Sequence, residues 1–158
     1  MKRIEGVVVR PVSLNDLEWM YQLQLDPESN RMAGTYSRDR GDFFTHWEQV
    51  CKDPHVIAKV ILMNKVEVGC VAAFPRDGNT HVAYWISPDR WGQGIATAAL
   101  QMLLVEVPDR PLHATVADTN LASLRVLQKC GFQPIGIRQV VECSRYPAHT
   151  EQLLILKG

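Results

Sequence analysis

Neither sign of charge is in excess in this chain, in which 17 lysines and arginines face 17 aspartates and glutamates over 158 residues. Without a net field there is no general attraction to nucleic acid or to an anionic membrane surface. No apolar run is long enough to span a bilayer, and the stretch from Met1 to Gly6 has no apolar leader, so a cytoplasmic location is expected. The four cysteines, Cys51, Cys70, Cys130 and Cys143, form no CxxC pair and no Cys/His ligand spacing. That pattern argues against a zinc framework, and no metal is expected. Three of them lie in apolar runs, where a free thiol behaves as a small hydrophobe, so reduced structural thiols are expected. No repeat, low-complexity tract or linker divides the sequence, and its length suits one domain over residues 1–158.

What is present is a succession of clear periodicities. Gly6 to Val12, with three consecutive valines, predicts a first strand. Ser13 and Asp16 resemble a capping box, and Leu14, Leu17, Met20, Tyr21 and Leu25 recur at helical spacing until Pro27 ends the run. Residues 28–41 are polar and poorly patterned and read as a mobile connection. A second helix is predicted over 42–52, with Phe43, Phe44, Trp47 and Val50 on its apolar side. A hairpin follows, Val56 to Met63 and Val66 to Phe74 about a turn at Asn64-Lys65, and then a strand over 80–87. The rest reads as a helix from Ala96 to about Val107, a strand from Leu112 to Ala117, a helix over 120–130, and strands near 132–143 and 150–157. Antiparallel hairpins therefore precede a late βαβ-like crossover. This order predicts the α+β class, with a mixed, mostly antiparallel sheet of about seven strands flanked by about four helices.

The most specific stretch is Trp91-Gly92-Gln93-Gly94-Ile95-Ala96-Thr97, between the strand ending near Ile86 and the helix from Ala96. Two glycines at such a junction bare successive backbone N–H groups, and the positive end of the helix dipole lies beside them. Together they suit a phosphate or pyrophosphate. A dinucleotide-binding module is disfavoured, because the third glycine of its fingerprint is missing and the sheet begins antiparallel.

A second string, Asn120-x-x-Ser123 … Lys129-x-Gly131-Phe132, follows the loop in order. The two motifs and the element order resemble the GCN5-related N-acetyltransferase (GNAT) superfamily over nearly the whole chain. With Tyr84-Trp85-Ile86 and Pro88 ahead of the loop, the likeness is to the branch containing ribosomal-protein N-terminal acetyltransferases. Trp91 stands where the family's loop usually opens on Gln or Arg. The resemblance implies that acetyl-CoA is the co-substrate. Its pyrophosphate would be held by the backbone from Gly92 through Gln93, Gly94, Ile95 and Ala96 to Thr97, with Trp91 at the loop's start. Ile86 and Ser87, on a strand splayed from its neighbour at 112–117, would pair with the pantetheine amides. Asn120, Ser123 and Lys129 would meet the pantetheine arm and the nucleotide end.

Amine acetylation needs a neutral amine and a proton for the departing thiolate. Three residues are candidates for the base: Glu142 in the strand after Gly131-Phe132, His81 on the fourth strand, and His149 near the last strand. For the acid, the tyrosine that many relatives carry seven residues after the asparagine is replaced by Leu127, so Ser123 or solvent takes that role. Trp85 and Tyr36 are candidate acceptor-site residues. The function expected is direct acetyl transfer from acetyl-CoA to a primary amine, on a peptide α-amine or a small molecule. The alternative is a catalytically silent acyl-CoA-binding subunit. A monomer or homodimer is expected.

Overall fold

The computed structural model describes residues 5–158, so most of the stretch read for a leader, residues 1–4, lies outside the described residues. Seven strands form one sheet in the order β1-β2-β3-β4-β5-β7-β6. They are β1 (Val7–Pro11), β2 (Ile57–Met63), β3 (Val66–Arg76), β4 (Asn79–Ile86), β5 (Leu112–Ala117), β6 (Gln133–Val140) and β7 (His149–Leu156). Five α-helices accompany them: α1 (Leu17–Leu23), α2 (Pro27–Ala33), α3 (Arg40–Lys52), α4 (Ile95–Glu106) and α5 (Leu121–Lys129). This is the predicted α+β class with one helix more than expected.

The extra helix corrects the reading of residues 28–41 as a connection. Pro27 opens α2 rather than merely closing α1, because its missing N–H is harmless in a first turn. The Asp26 carboxylate accepts from Ser29 N at 2.8 Å, and Gly34 ends the helix at φ 69°. Seven residues without an apolar stripe show little period, so the caps were the legible signal. The sixth strand is also shorter than predicted, while the seventh keeps its predicted length. β6 stops at Val140, which leaves Glu142 in the connection to β7 rather than in a strand.

The Asn64-Lys65 turn places both residues at positive φ, 51° and 71°, as the right-handed twist of a two-residue hairpin requires. All neighbouring strands pair antiparallel except β4 and β5, which are parallel and meet only at Thr80–Leu112 and His81–His113. Beyond those pairs the sheet is split, as the expected splay requires.

The two faces of the sheet hold different cores. On one, α4 buries Ile95, Ala98, Ala99, Leu100 and Leu103 among Val71, Val82, Ile86, Leu112 and Leu154. A helix this apolar cannot lie on a surface, and it carries the glycine loop at its N-terminus on a fixed base. On the other face, Leu17 and Met20 of α1 and Phe43 of α3 form a smaller cluster against Cys70. All four cysteines are free. Burial pushes the Cys70 thiol up to about 12 and that of Cys130 up to about 11, which makes both inert. Cys51 and Cys143 are exposed, so the expectation of core thiols holds for two positions and not for these.

Candidate active site

The bond from Ser87 N to Val68 O, at 2.8 Å, fixes the hydrogen-bonding phase of β4 against β3. By antiparallel alternation, the backbone groups of Trp85 then face β3, while those of Tyr84 and Ile86 face the gap beside β5. Ile86 therefore turns its backbone to the gap, where its N–H is open to an extended amide ligand while its carbonyl accepts from Trp91. Ser87 is not so placed, since its N–H is spent within the sheet and its hydroxyl on Asp89. Trp91, exposed at the loop's start, donates its indole N–H to Ile86 O at 2.9 Å and so ties the loop to the strand end.

The loop itself has the predicted character. Gly92 and Gly94 take φ of 76° and 79°, a region closed to most L-residues, and the main-chain N–H groups at the start of α4 have no side-chain cap. No acidic residue occupies the first turn, which leaves the positive dipole end free for an anion.

A cavity of about 350 Å³ runs along this surface, bounded by the end of β4, the loop, the first turn of α4, α5, and α2. It gathers most of the residues the sequence singled out: Trp85, Ile86, the run from Trp91 to Thr97, Asn120, Ser123 and Lys129. Ser87 lies outside its lining. The lining contains Arg90, Arg125 and Lys129 and no aspartate or glutamate. In a chain without net charge, that local surplus is what a bound polyanion needs. Asn120 also serves α5 directly, its carbonyl oxygen accepting from Ser123 N at 3.2 Å.

Tyr84 is the residue the sequence reading missed. Its phenol enters the same cavity and hydrogen-bonds the Ser123 hydroxyl at 2.6 Å, with Ser123 O at 3.0 Å. Burial pushes the phenol up to about 12, against the opposing pull of the Ser123 bond, so it stays protonated in neutral solution. The signal was present in Tyr84-Trp85-Ile86. Strand parity turns Tyr84 towards α4 and α5, whereas a helix-only search for the missing tyrosine looks at Leu127.

On the opposite face lies a second cavity of about 120 Å³, and Ala33 is a wall residue of both cavities. Arg76, Arg138, Tyr146, His149 and Glu151 are among its walls. Glu151, nearly buried, binds Arg138 through Nε at 2.8 Å and through a second, shorter bond. His149 Nδ1 lies 2.8 Å from Pro147 O, a group that can only accept, so Nδ1 carries the proton in the neutral ring and Nε2 is the basic nitrogen. The ring packs where a side chain on Gly34 would stand, 2.7 Å from Nε2.

The remaining candidates are placed elsewhere. His81 stacks between Phe74 and His113 at the paired end of β4, at centroid distances of 6.1 and 5.5 Å, and lines neither cavity. Burial, with the charge of Arg76, lowers its pKa. Glu142 and Tyr36 come together, the phenol donating to the carboxylate at 2.7 Å, but on the exposed rim beside the second cavity, where the β6–β7 connection meets the segment after α2, and neither residue lines a cavity. Trp85 is among the residues lining the larger cavity, although alternation turns its side chain to the opposite face from Tyr84, and its indole N–H is buried without a partner. Among the described residues no cluster of His, Cys, Asp or Glu could hold a metal, and no helix is long and apolar enough to cross a membrane.

The sequence family described as "Acetyltransferase (GNAT) domain" matches residues 7–133, a span that includes the loop, α5 and the strands around the gap. The chain belongs to the GNAT acetyltransferase family. No curated protein sequence matches this GNAT domain. Solved acetyltransferase structures share its fold. The spermidine N-acetyltransferase of Vibrio cholerae, in complex with CoA and spermine, superposes with a TM-score of 0.80 at 16% identity, covering 98% of this chain and 97% of its own. The Microcin C7 self immunity acetyltransferase MccE, in complex with acetyl-CoA and AMP, gives 0.79 at 18% identity over 98% and 93%. The Salmonella typhimurium enzyme that modifies the N-terminal serine of ribosomal protein L7/L12 gives 0.78 at 16% over 98% and 96%. At these identities the likeness is one of fold.

Proposed function

We propose that this GNAT domain transfers the acetyl group of acetyl-CoA directly to a primary amine. The observation that carries the reading is the larger cavity. It joins an uncapped helix N-terminus and three cations, without a carboxylate, to an open strand edge that can pair with amides. Phosphates fit the first part and an extended amide-bearing arm the second. The solved relatives that act on spermidine or on a ribosomal N-terminus support an amine acceptor.

The amine would approach from the side of the second cavity, which shares the wall residue Ala33 with the first. Of the three base candidates, His149 is the one that lines this approach, with Nε2 as its basic nitrogen. It takes the proton as the amine attacks the thioester carbon. The C–S bond then breaks, and the Tyr84–Ser123 pair offers a hydrogen bond to the leaving thiolate. Full proton transfer from a phenol near 12 to a thiolate near ~8.5 is unfavourable by a few thousandfold, so the pair stabilises the charge and the proton arrives later from solvent or product. Glu142 with Tyr36 would orient the acceptor at the rim.

The test is thermal unfolding with saturating acetyl-CoA, with NADH as control, followed by thiol release with a panel of amines. A ligand at 100 times its Kd adds about 2.7 kcal/mol, a rise of about 5–10 °C in a domain of this size. Gly94→Val, forced into the left-handed region at φ 79°, should lose that rise while still unfolding cooperatively. An undiminished rise in the variant would remove the loop from the binding site.

A further inference from the structure

The second cavity has more positive charge than its one carboxylate can neutralise. Glu151 is already committed to Arg138 by two hydrogen bonds, which leaves the guanidinium of Arg76 on the same wall without a matched partner. Its nearest acid, Asp77, stands 3.9 Å away with a side chain 77% exposed, a contact of little energetic weight. The rim repeats the imbalance. Arg145 donates from Nη1 to Tyr36 O, but its Nε is buried without a partner. Burial and the neighbouring charge of Arg38 both lower its pKa, and the same two arginines add to the burial that lowers His46. Among the described residues no carboxylate forms an ion pair with Arg38 or Arg145, and Glu142, the acid of that connection, already accepts from Tyr36.

We propose that the acceptor is an amine carrying its own anionic group, a carboxylate or phosphate a few bonds from the nitrogen, and that Arg76 binds that group. The proposal rests on the amine-acetylation reading and narrows its substrate class. A guanidinium presents donors in a planar fork that matches either anion in two-point contact. The amine of such a molecule would be held towards Ala33, the wall the two cavities share, while its anion lies against Arg76. A polycation would instead meet unpaired guanidiniums at Arg76 and along the rim. A cavity of about 120 Å³ admits the head of a small molecule or one terminal residue, so amine and anion must lie close together.

Matched acceptors test this: glycine against glycinamide for the carboxylate, phosphoethanolamine against ethanolamine for the phosphate, and spermidine as the cation. Thiol release is followed at saturating acetyl-CoA, and rates are compared per unprotonated amine. The expected result is that at least one anionic member exceeds its neutral partner about tenfold or more in kcat/KM, mostly through acceptor KM. The pair that shows the gain identifies the anion. Arg76→Gln should level that preference and leave the KM for acetyl-CoA unmoved, while Arg76→Lys keeps part of it. Equal use of both members of both pairs, preference for spermidine, or an undiminished preference in Arg76→Gln would each overturn the assignment while leaving amine transfer intact. If no amine at all releases thiol from a protein that binds acetyl-CoA, the amine reading fails, and this proposal fails with it.

Discussion

Tyr84→Phe isolates the group that the motif pattern did not name. The substitution removes one oxygen and keeps the ring that fills the space between β4 and α5. The ground state loses the 2.6 Å bond to the Ser123 hydroxyl and the 3.0 Å contact to its carbonyl. A hydrogen bond between neutral groups contributes about 1 kcal/mol, so Tm should fall by about 2–4 °C. The transition state loses more, because a bond to a developing thiolate is worth about 1.5–3 kcal/mol, which is about 10- to 150-fold in kcat. The KM for acetyl-CoA should hardly move, since the thiolate does not exist in the ground state. Because burial holds the phenol near 12, its loss should leave the pH–rate profile below about pH 10 unchanged in shape. Thiol release at saturating acetyl-CoA, with cofactor-induced stabilisation checked alongside, measures all three quantities. A folded variant that retains kcat within twofold would refute the role. Equal losses in kcat and in acetyl-CoA binding would make the tyrosine a packing residue.

Two further predictions follow from partners rather than motifs. His149→Gln can still donate to Pro147 O but offers no basic nitrogen. It should cost most with alkyl amines near pKa ~10.4 and least with α-amines near ~7.7–8.0, and an equal loss with both in kcat/KM would remove His149 as base. Asp16 sits with its side chain 9% exposed, and its pKa lies below the usual carboxylate range, chiefly through the two 2.8 Å bonds from Arg10. A depressed folded pKa means that this stabilisation is complete above the ordinary aspartate range and is lost as pH falls through the folded value. Asp16→Asn should therefore cost about 1–2 kcal/mol at pH 7, discounted because Arg10 is 38% exposed, and the gap to wild type should narrow as pH falls below the ordinary aspartate range. A gap independent of pH in chemical denaturation would show the loss to be one of packing.

The glycine loop and its helix were legible because each depends on local chemistry, whereas the split between β4 and β5 was expected only from the family resemblance. Glycines at 92 and 94 are needed for positive φ, and a run as apolar as Ile95 to Val105, interrupted only by Thr97 and Gln101, must be largely buried. The α2 helix was hidden because it is short and held by caps at Asp26 and Gly34, not by an apolar stripe. The catalytic candidates were harder for a different reason. Glu142, His81 and His149 are equivalent in sequence, each a titratable residue on or near a strand. Only the pairing of β4 with β5 at His81–His113 puts His81 at the closed end, and only the loop after Val140 carries Glu142 to the rim. Tyr84 was missed because the phenol comes from a strand, where the family pattern supplies it from a helix.

The gap between β4 and β5 is a feature the fold must actively maintain. β4 pairs with β3 from Gly69–Ile86 to Arg76–Asn79, and β5 pairs with β7 along its whole length, while the two strands share only two register positions. Each half of the sheet is thus satisfied by its outer neighbour and is free to twist away from the other. At the open end, Ser87 N is fixed to β3 and Ile86 O is taken by Trp91, so the strand cannot close onto β5 by gaining those bonds. The remaining edge groups of Tyr84 and Ile86 cost free energy if they are left without partners away from water. A phosphate at the glycine loop does nothing for them, but an extended arm bearing its own amides satisfies them as an added strand would. Selection for acetyl-CoA over other phosphate-bearing molecules therefore lies in this strand edge as much as in the loop, because any anion could use the loop alone.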